Sequence, residues 1–178
     1  MKVLILGSLR HDGKYLIELH LGLGDKVIGL AKSICSDSEL EPPLLGATYL
    51  KLDAQDPVEL NKIINRYEPE IIYNLASASS VSESFKFPDI SESVNVGIVK
   101  NILEILSRRQ VEGKDQINLY QASIFELSGG SDRVPLTIKS KFNPQSPDAL
   151  HKSVGYNLIL EYREKFALLL SMGIMFNH

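Results

Sequence analysis

The sequence predicts an α/β fold: a doubly wound parallel sheet of six strands with helices on both faces. Short apolar runs alternate along the whole chain with longer segments whose apolar residues recur at helical spacing. The 178 residues are 44% hydrophobic and 23% charged, which is typical of a soluble globular domain with a sizeable core. We therefore expect a single domain over residues 1–178.

The first half of the chain is expected to contain four strands and two helices. The strands are predicted at residues 3–6, 26–31, 48–52 and 70–75. The first helix begins near Gly13, and the glycines at its far end, from Gly22, terminate it. Pro57 occupies a first helical turn and opens the second helix, which extends to Arg66. The proline-containing segment 33–46 is expected to be a surface loop.

Two long helices dominate the second half. The first, over residues 88–109, carries a stripe of isoleucine and valine and has arginines at its C-terminal end, where the helix dipole favours cations. The remaining elements are predicted as a fifth strand over 116–122, a turn-rich loop over 129–147, a second long helix over 148–170 and a sixth strand over 172–176. These elements complete the predicted sheet.

Charge and cysteine content exclude several classes of function. A net charge of −3 without a long basic run gives no electrostatic case for binding nucleic acid or an anionic membrane. Cys35 is the only cysteine, so no intrachain disulfide and no metal site built on paired cysteines is available. No stretch approaches the roughly 20 apolar residues of a transmembrane helix, and the first apolar run is too short for a signal peptide. We expect a cytoplasmic protein without a metal.

The turn between the first strand and the first helix is a candidate phosphate site. Doubly wound folds present backbone amides and a positive helix terminus to a pyrophosphate at this position. Gly7 and Gly13 bracket the turn, and on their own they are equally compatible with a tight turn that binds nothing. Arg10 lies between them, where a side chain either obstructs a diphosphate or reaches a phosphate as a charged donor.

Four later motifs carry a family resemblance. Residues 120–126 read Tyr-Gln-Ala-Ser-Ile-Phe-Glu, and Lys152 follows Asp148 by one helical turn. Residues 74–81 form a segment rich in serine and alanine, and residues 176–178 read Phe-Asn-His. Over nearly the whole chain these motifs are similar to the N-terminal Rossmann part of the GDP-mannose 4,6-dehydratase family, within the extended short-chain dehydrogenases.

The resemblance implies that the coenzyme is NADP. It places Lys32 beside the 2′-phosphate, although Ser33 replaces a second arginine common there, which weakens the preference for NADP. It places Asp53 beside the adenine, and the alternative for this aspartate is a turn or capping role. The full set of implied coenzyme contacts is Gly7, Arg10, Asp12, Gly13, Lys32, Asp53, Leu75, Ala76 and Lys152.

The resemblance also implies a lyase reaction. Family members move hydride from C4 of the sugar to NADP, eliminate water across C5 and C6, and return the hydride to C6. The implied catalytic residues are Ser123, which contacts the substrate, Glu126, which moves the C5 proton, and Lys152. Two partners are replaced, because Ile124 stands at a threonine of the family and Asp148 at its tyrosine.

These replacements predict weak catalysis or none. The unperturbed pKa of an aspartate is about 4, against about 10 for tyrosine, so Asp148 is a poor substitute base. Losing one acid or base typically costs ~10²–10⁴ in rate. The spacing of four residues instead predicts an ordinary helical ion pair between Asp148 and Lys152.

The family resemblance leaves several roles open. It implies GDP-mannose or another nucleotide-sugar as a partner, and a homo-oligomer formed through helices 88–109 and 148–170. Relatives continue into a C-terminal nucleotide-sugar-binding domain, which residues 1–178 are expected to lack. The alternatives are an enzyme acting on a different substrate, a non-catalytic dinucleotide-binding or oligomerisation module, and a structural remnant with no ligand.

Overall fold

The structure, a computed structural model, describes residues 1–32, 45–77, 81–124, 129 and 140–175. Its strands are β1 Lys2–Leu6, β2 Lys26–Ala31, β3 Thr48–Lys51, β4 Ile71–Asn74, β5 Asn118–Ile124 and β6 Leu170–Met175. They form one sheet in the order β3-β2-β1-β4-β5-β6, and every neighbouring pair is parallel. The predicted doubly wound sheet is confirmed, with the strand order of a Rossmann fold.

The helices cover both faces, as predicted. They are α1 His11–Gly22, α2 Pro57–Tyr67, α3 Val81–Lys86, α4 Pro88–Glu92, a π-helical segment Ser93–Gly97, α5 Ile98–Val111 and α6 Pro147–Phe166. α1 packs on one face through Ile17, while α2, α5 and α6 pack on the other. No helix in the described part of the chain is long and apolar enough to cross a membrane.

The core lies on both sides of β1. Val3 and Ile5 point to the layer that α1 covers, and Leu4 and Leu6 point to the layer of α2, α5 and α6. All four side chains are buried. Burying one such side chain contributes roughly 2 kcal/mol, so a continuous apolar run is expected of a central parallel strand.

Side-chain caps explain where two helices begin. The carboxylate of Asp56 accepts hydrogen bonds from the backbone N–H groups of Val58 at 2.9 Å and Glu59 at 3.1 Å, and Pro57 takes the first helical position. Ser146 caps α6 in the same way, ahead of Pro147. Each cap satisfies backbone donors that a helix leaves free, and is worth about 1 kcal/mol.

The structure differs from the prediction at several boundaries: β5 lies at Asn118–Ile124 rather than 116–122, and β6 at Leu170–Met175 rather than 172–176. The long helix predicted over 88–109 is interrupted by the π-helical segment, and α3 precedes it without having been predicted. α6 ends at Phe166 rather than at 170, because Ala167 adopts the left-handed conformation with φ of 51° and Leu170 already pairs with β5. An apolar run carries no periodicity of its own, so it does not distinguish the end of a buried helix from the start of a buried strand.

A buried histidine ties α1 to the amino end of the sheet. His20 Nδ1 lies 2.7 Å from a carboxylate oxygen of Asp25, and its Nε2 lies 3.3 Å from the hydroxyl of Tyr73. The α-amino group of Met1 lies 2.6 Å from the other oxygen of Asp25. Hydrogen bonds from the Met1 amino group and from His20 hold the pKa of Asp25 below its usual value. The cluster lies at the amino ends of β1 and β2, where it ties the end of α1 to the sheet.

Candidate functional site

The carboxyl ends of the first three strands and of β4 surround a cleft of about 280 Å³, which we call the first cleft. Ligands of open α/β sheets bind at this edge, where the strand order reverses. Residues from each strand end and from the helical segment after α4 line it: Leu6, Gly7, Leu9, Arg10, Leu30, Ala31, Lys32, Leu52, Asp53, Ala54, Gln55, Ala76, Ser77, Val94 and Ile98. Five of the predicted coenzyme residues therefore meet here: Gly7, Arg10, Lys32, Asp53 and Ala76.

The two glycines of the β1–α1 turn are required by close packing. Gly7 has φ of 78°, and a Cβ added to it would lie 3.0 Å from the carbonyl carbon of Leu75. A Cβ on Gly13 would lie 2.5 Å from the carbonyl oxygen of Gly7 and 2.8 Å from the Cα of Ser8. Both positions exclude larger residues on steric grounds alone. The glycines bring the N-terminus of α1 to the border of the first cleft.

Lys32 and Asp53 form an ion pair at the rim of the first cleft. Lys32 Nζ lies 2.9 Å from Asp53 Oδ2, and both groups are in contact with solvent. Although partial desolvation opposes the shift, hydrogen bonds from Lys32 and Gln55 lower the pKa of Asp53. The backbone N–H of Gln55 also donates to Asp53 at 3.1 Å, so this aspartate performs the turn role as well as lining the cleft. Arg10 lies exposed on the β1 side.

Gln55 is a residue that the sequence reasoning missed. Its side-chain amide donates to both oxygens of Asp53, at 3.1 and 3.3 Å, and its side-chain oxygen accepts from Ser93 Oγ in the π-helical segment. It therefore connects the aspartate of the first cleft to the helix behind it. The position of Gln55 two residues after Asp53, in a strand-to-helix turn, was the available signal.

A second cavity adjoins the first cleft at Ala76 and Ser77, and we call it the second cavity. Two of the predicted catalytic residues, Ser123 and Lys152, line it. The remaining lining residues are Asn95, Val99, Gln121, Ala122, Gly155, Tyr156 and Met172. Its volume is only about 10 Å³. Ser123 is buried, and its hydroxyl has no hydrogen-bond partner among the described residues.

Asp148 and Lys152 form the predicted ion pair, but the pair is buried. Their charged groups lie 3.0 Å apart, and the two side chains are 4% and 13% exposed. Asn95 donates to the same carboxylate at 2.8 Å, and the backbone N–H of Asp148 donates to the hydroxyl of Ser84 at 3.2 Å. The prediction of an ordinary helical pair is therefore correct in its partners and wrong in its setting. The pair joins α3, the π-helical segment and α6.

The remaining predicted residues lie elsewhere. Asp12 and Gly13 belong to the first turn of α1, and Leu75 is buried against Gly7; none of the three lines the first cleft or the second cavity. Glu126 lies outside the described residues, as do segments 78–80 and 176–178. Within the described ranges, no cluster of histidine, cysteine or acidic residues could hold a metal ion.

Among the described residues, the site combines an open cleft with a lysine that is already paired with a carboxylate. The first cleft combines an apolar floor with cations at its rim, as expected for a nucleotide. In the second cavity, the ammonium group of Lys152 is already neutralised by Asp148, whose carboxylate does not line the cavity. Tyr156 lines it, with its ring held edge-to-face by Phe142 at 4.8 Å.

Comparison with known proteins identifies the family of the chain. The family model described as GDP-mannose 4,6 dehydratase matches residues 4–178. GDP-mannose 4,6 dehydratase 2 of Caenorhabditis elegans is 34% identical over 98% of this chain and 48% of its own length. GDP-mannose 4,6-dehydratase of Vibrio cholerae is 30% identical over 99% of this chain and 50% of its own length. The chain thus spans about half the length of these curated relatives.

Solved structures share the fold. UDP-glucose 4-epimerase from Brucella ovis, in complex with NAD, superposes with a TM-score of 0.85 at 21% identity, covering 99% of this chain and 52% of that one. The UDP-glucose 4-epimerase of Thermus thermophilus, also in complex with NAD, gives a TM-score of 0.82 at 22% identity, covering 97% and 54%. At these identities the likeness establishes the Rossmann-like fold alone.

Proposed function

The chain belongs to the GDP-mannose 4,6-dehydratase family, and from this premise we propose that residues 1–178 form an NADP-binding module that does not itself carry out the dehydration. The observation that supports the proposal most directly is the first cleft, in which Gly7, Arg10, Lys32, Asp53 and Ala76 come together at the reversal point of the sheet.

The rim of the first cleft supports a preference for NADP over NAD. The Lys32–Asp53 pair is exposed to solvent, and exposed pairs contribute only about 0–1 kcal/mol. A 2′-phosphate therefore displaces Asp53 from Lys32 at little cost and gains a charge-assisted hydrogen bond. Arg10 supplies a second cation to the same cleft. NADH lacks the 2′-phosphate and gains neither interaction.

The surroundings of Asp148 argue against turnover. The residue stands where the family carries its tyrosine, yet its carboxylate is held by Lys152 and Asn95 and does not line either cavity. A general base must reach the proton that it removes, either directly or through one water. We propose that Ser123 and Glu126 belong to a site for a nucleotide-sugar such as GDP-mannose. This chain does not convert that sugar.

Isothermal titration calorimetry with NADPH and NADH tests the coenzyme proposal. We expect saturable binding of both, tighter for NADPH, and we expect Lys32→Ala to weaken NADPH by about tenfold while changing NADH little. Lys62→Ala is the matched control, because this exposed lysine lies on α2 outside the first cleft. Absence of saturable binding by either coenzyme would overturn the proposal.

The second part of the proposal has its own assay. We expect no 4-keto-6-deoxy sugar from GDP-mannose in the presence of NADP and the purified chain. Product formation above the background of a Lys152→Ala variant would show that the chain turns over the substrate despite the replaced tyrosine.

An exposed apolar surface favours a second role, the formation of a homo-oligomer. Five large apolar side chains on this surface are exposed: Phe85, Phe87 and Ile90 in or next to α3 and α4, and Leu150 and Val154 on α6. They lie on helices that pack against one another. Large apolar side chains grouped in this way mark interaction surfaces. We propose that a second copy of the chain covers them.

Sedimentation velocity across micromolar concentrations tests this role. We expect a dimer that Ile90→Lys or Leu150→Lys converts to a monomer. Leu19→Lys is the control, since Leu19 is equally exposed but lies on α1, on the opposite face of the sheet. A monomeric unmodified chain would remove the idea.

A further inference from the structure

We propose that Gln55 is a specificity-determining residue for the coenzyme, which acts through Asp53 and favours NADPH over NADH. The inference rests on the coenzyme binding proposed above and assigns part of the preference to a residue that carries no charge. Gln55 is half-buried in the turn between β3 and α2, and it lines the first cleft. Its contacts show how an uncharged side chain controls a charged one.

The hydrogen bonds of Gln55 fix the orientation of its side-chain amide. An ionised carboxylate only accepts hydrogen bonds, so the contacts with the two oxygens of Asp53, at 3.1 and 3.3 Å, come from the amide nitrogen. The amide oxygen then faces the hydroxyl of Ser93, which donates to it. Gln55 therefore presents its N–H groups to the aspartate of the first cleft and is held from behind by the π-helical segment.

Contacts with Gln55 and Lys32 fill the acceptor capacity of the Asp53 carboxylate. Oδ1 accepts from the backbone N–H of Gln55 and from its side-chain amide, both at 3.1 Å. Oδ2 accepts from the same amide at 3.3 Å and from Lys32 Nζ at 2.9 Å. Each carboxylate oxygen offers about two lone-pair sites. A further donor therefore binds Asp53 only when one of these contacts is released.

The contact with Lys32 is the one that breaks most readily, because both charged groups are exposed to solvent. When Lys32 turns to a 2′-phosphate, the hydrogen bonds from Gln55 keep the carboxylate of Asp53 in place. Asp53 then neither follows Lys32 nor approaches the phosphate, where two negative charges would repel each other. Gln55 thus lowers the cost of transferring Lys32 from the protein carboxylate to the coenzyme phosphate.

The same contacts disfavour NADH. The ribose of NADH carries a 2′-hydroxyl in place of the phosphate, and dinucleotide-binding folds that use NAD bind this hydroxyl with a carboxylate. Asp53 lies 2.9 Å from the lysine to which we assign the 2′-phosphate, but its acceptor sites toward Gln55 are filled. Loss of the Gln55 amide frees these sites for the 2′-hydroxyl. It should therefore strengthen the binding of NADH and weaken that of NADPH.

Calorimetric titrations of Gln55→Met with NADPH and NADH test the inference, because methionine is similar in length and has no N–H group in its side chain. We expect the ratio of the NADH to the NADPH dissociation constant to fall by about tenfold, whereas a general loss of structure would weaken both coenzymes alike. Ser93→Ala removes the contact behind Gln55 and should lower the ratio by about threefold. Gln145→Met is the matched control, since Gln145 is exposed and lines neither the first cleft nor the second cavity.

Two further measurements show whether Gln55 acts through Asp53. In the Asp53→Ala variant, adding Gln55→Met should leave the ratio unchanged, since no carboxylate remains to be held. Without coenzyme, NMR of the labelled Asp53 carboxyl carbon gives the pKa of this group directly. Partial desolvation raises the pKa of Asp53, but hydrogen bonds from Lys32 and Gln55 lower it overall. Gln55→Met should therefore raise the pKa of Asp53.

An unchanged ratio in Gln55→Met would overturn the inference while coenzyme binding itself still stands. An equal fall of the ratio with and without Asp53 would also overturn it, because Gln55 would then act on the coenzyme directly. The same holds for an unchanged pKa of Asp53 in Gln55→Met. If the unmodified chain binds neither coenzyme, the proposed function fails and the inference fails with it.

Discussion

Replacing Asp148 with alanine is expected to destabilise the fold by about 3 kcal/mol, far more than an ordinary helical ion pair is worth. The carboxylate accepts from Lys152 at 3.0 Å and from Asn95 at 2.8 Å, in a site where the two charged side chains are only 4% and 13% exposed. Its removal leaves the ammonium group of Lys152 without this carboxylate, while the Asn95 amide keeps its hydrogen bond to Ser91 Oγ at 3.3 Å.

The magnitude follows from these contacts. Removing one partner of a buried pair costs about 3–5 kcal/mol. The partial exposure of Lys152 lets its ammonium group recover some hydration, which places the cost near the lower end of that range. Lys100 and Glu104 form a helical pair of the same spacing, 3.8 Å apart and 59% and 45% exposed, and Glu104→Ala should cost no more than about 0.5 kcal/mol.

Urea unfolding at pH 7 measures both changes, with the slope of the transition checked for constancy. For a chain of this size, a loss of about 3 kcal/mol corresponds to a fall in Tm of about 6–12 °C. The double replacement Asp148→Leu with Lys152→Met should recover most of the loss, because it removes both charges. A cost below about 1 kcal/mol for Asp148→Ala would refute the reasoning, since the pair would then behave as an exposed one.

Three further predictions concern stability. Gly13→Ala should destabilise by about 1–3 kcal/mol because of its steric contacts, whereas Gly22→Ala, with open space around it, should be neutral or slightly stabilising; equal effects in thermal melts would contradict the packing argument. Ser123→Ala should be neutral or stabilising by up to about 1 kcal/mol because its buried hydroxyl has no hydrogen-bond partner in the part of the chain that the structure describes, whereas Ser84→Ala, which loses two hydrogen bonds, should destabilise by about 1–2 kcal/mol in urea. The pKa of Asp25 is lowered in the folded protein, so the stabilisation from this carboxylate is complete above its unfolded pKa of about 3.9 and is lost as the pH falls through the lower folded pKa. Asp25→Asn should therefore reduce the change in the urea midpoint between pH 5 and pH 2. An unchanged pH dependence in this variant would show that Asp25 does not contribute this stabilisation.

Local chemistry made much of the fold predictable. Asp56 and Pro57 start α2 where a cap and a first-turn proline predict it, and β2 has its predicted bounds. The end of α6 was misplaced because Ala167 carries no glycine-like signal for its left-handed conformation. The π-helical segment had no signal in the sequence that we recognised.

The candidate site was predictable in part. The strand-end residues Gly7, Lys32 and Asp53 line one cleft, because parallel strands bring their carboxyl ends to one edge, and their contact with a coenzyme stays a prediction. Gln55 was missed, since its importance depends on contacts with Ser93 and Asp53 rather than on a motif. The family resemblance implied a catalytic role for Lys152, and the structure shows its ammonium group paired with the buried carboxylate of Asp148.

By itself, the sequence determined the parallel sheet, the glycine turn and the pairing of Asp148 with Lys152, because each depends on residue type and spacing within a short segment. Only the tertiary structure decided that this pair is buried and that the second cavity is nearly filled beside an open first cleft. Burial and cavity volume depend on side chains that are distant in sequence, such as Asn95 and Met172, and no local pattern records how they pack together.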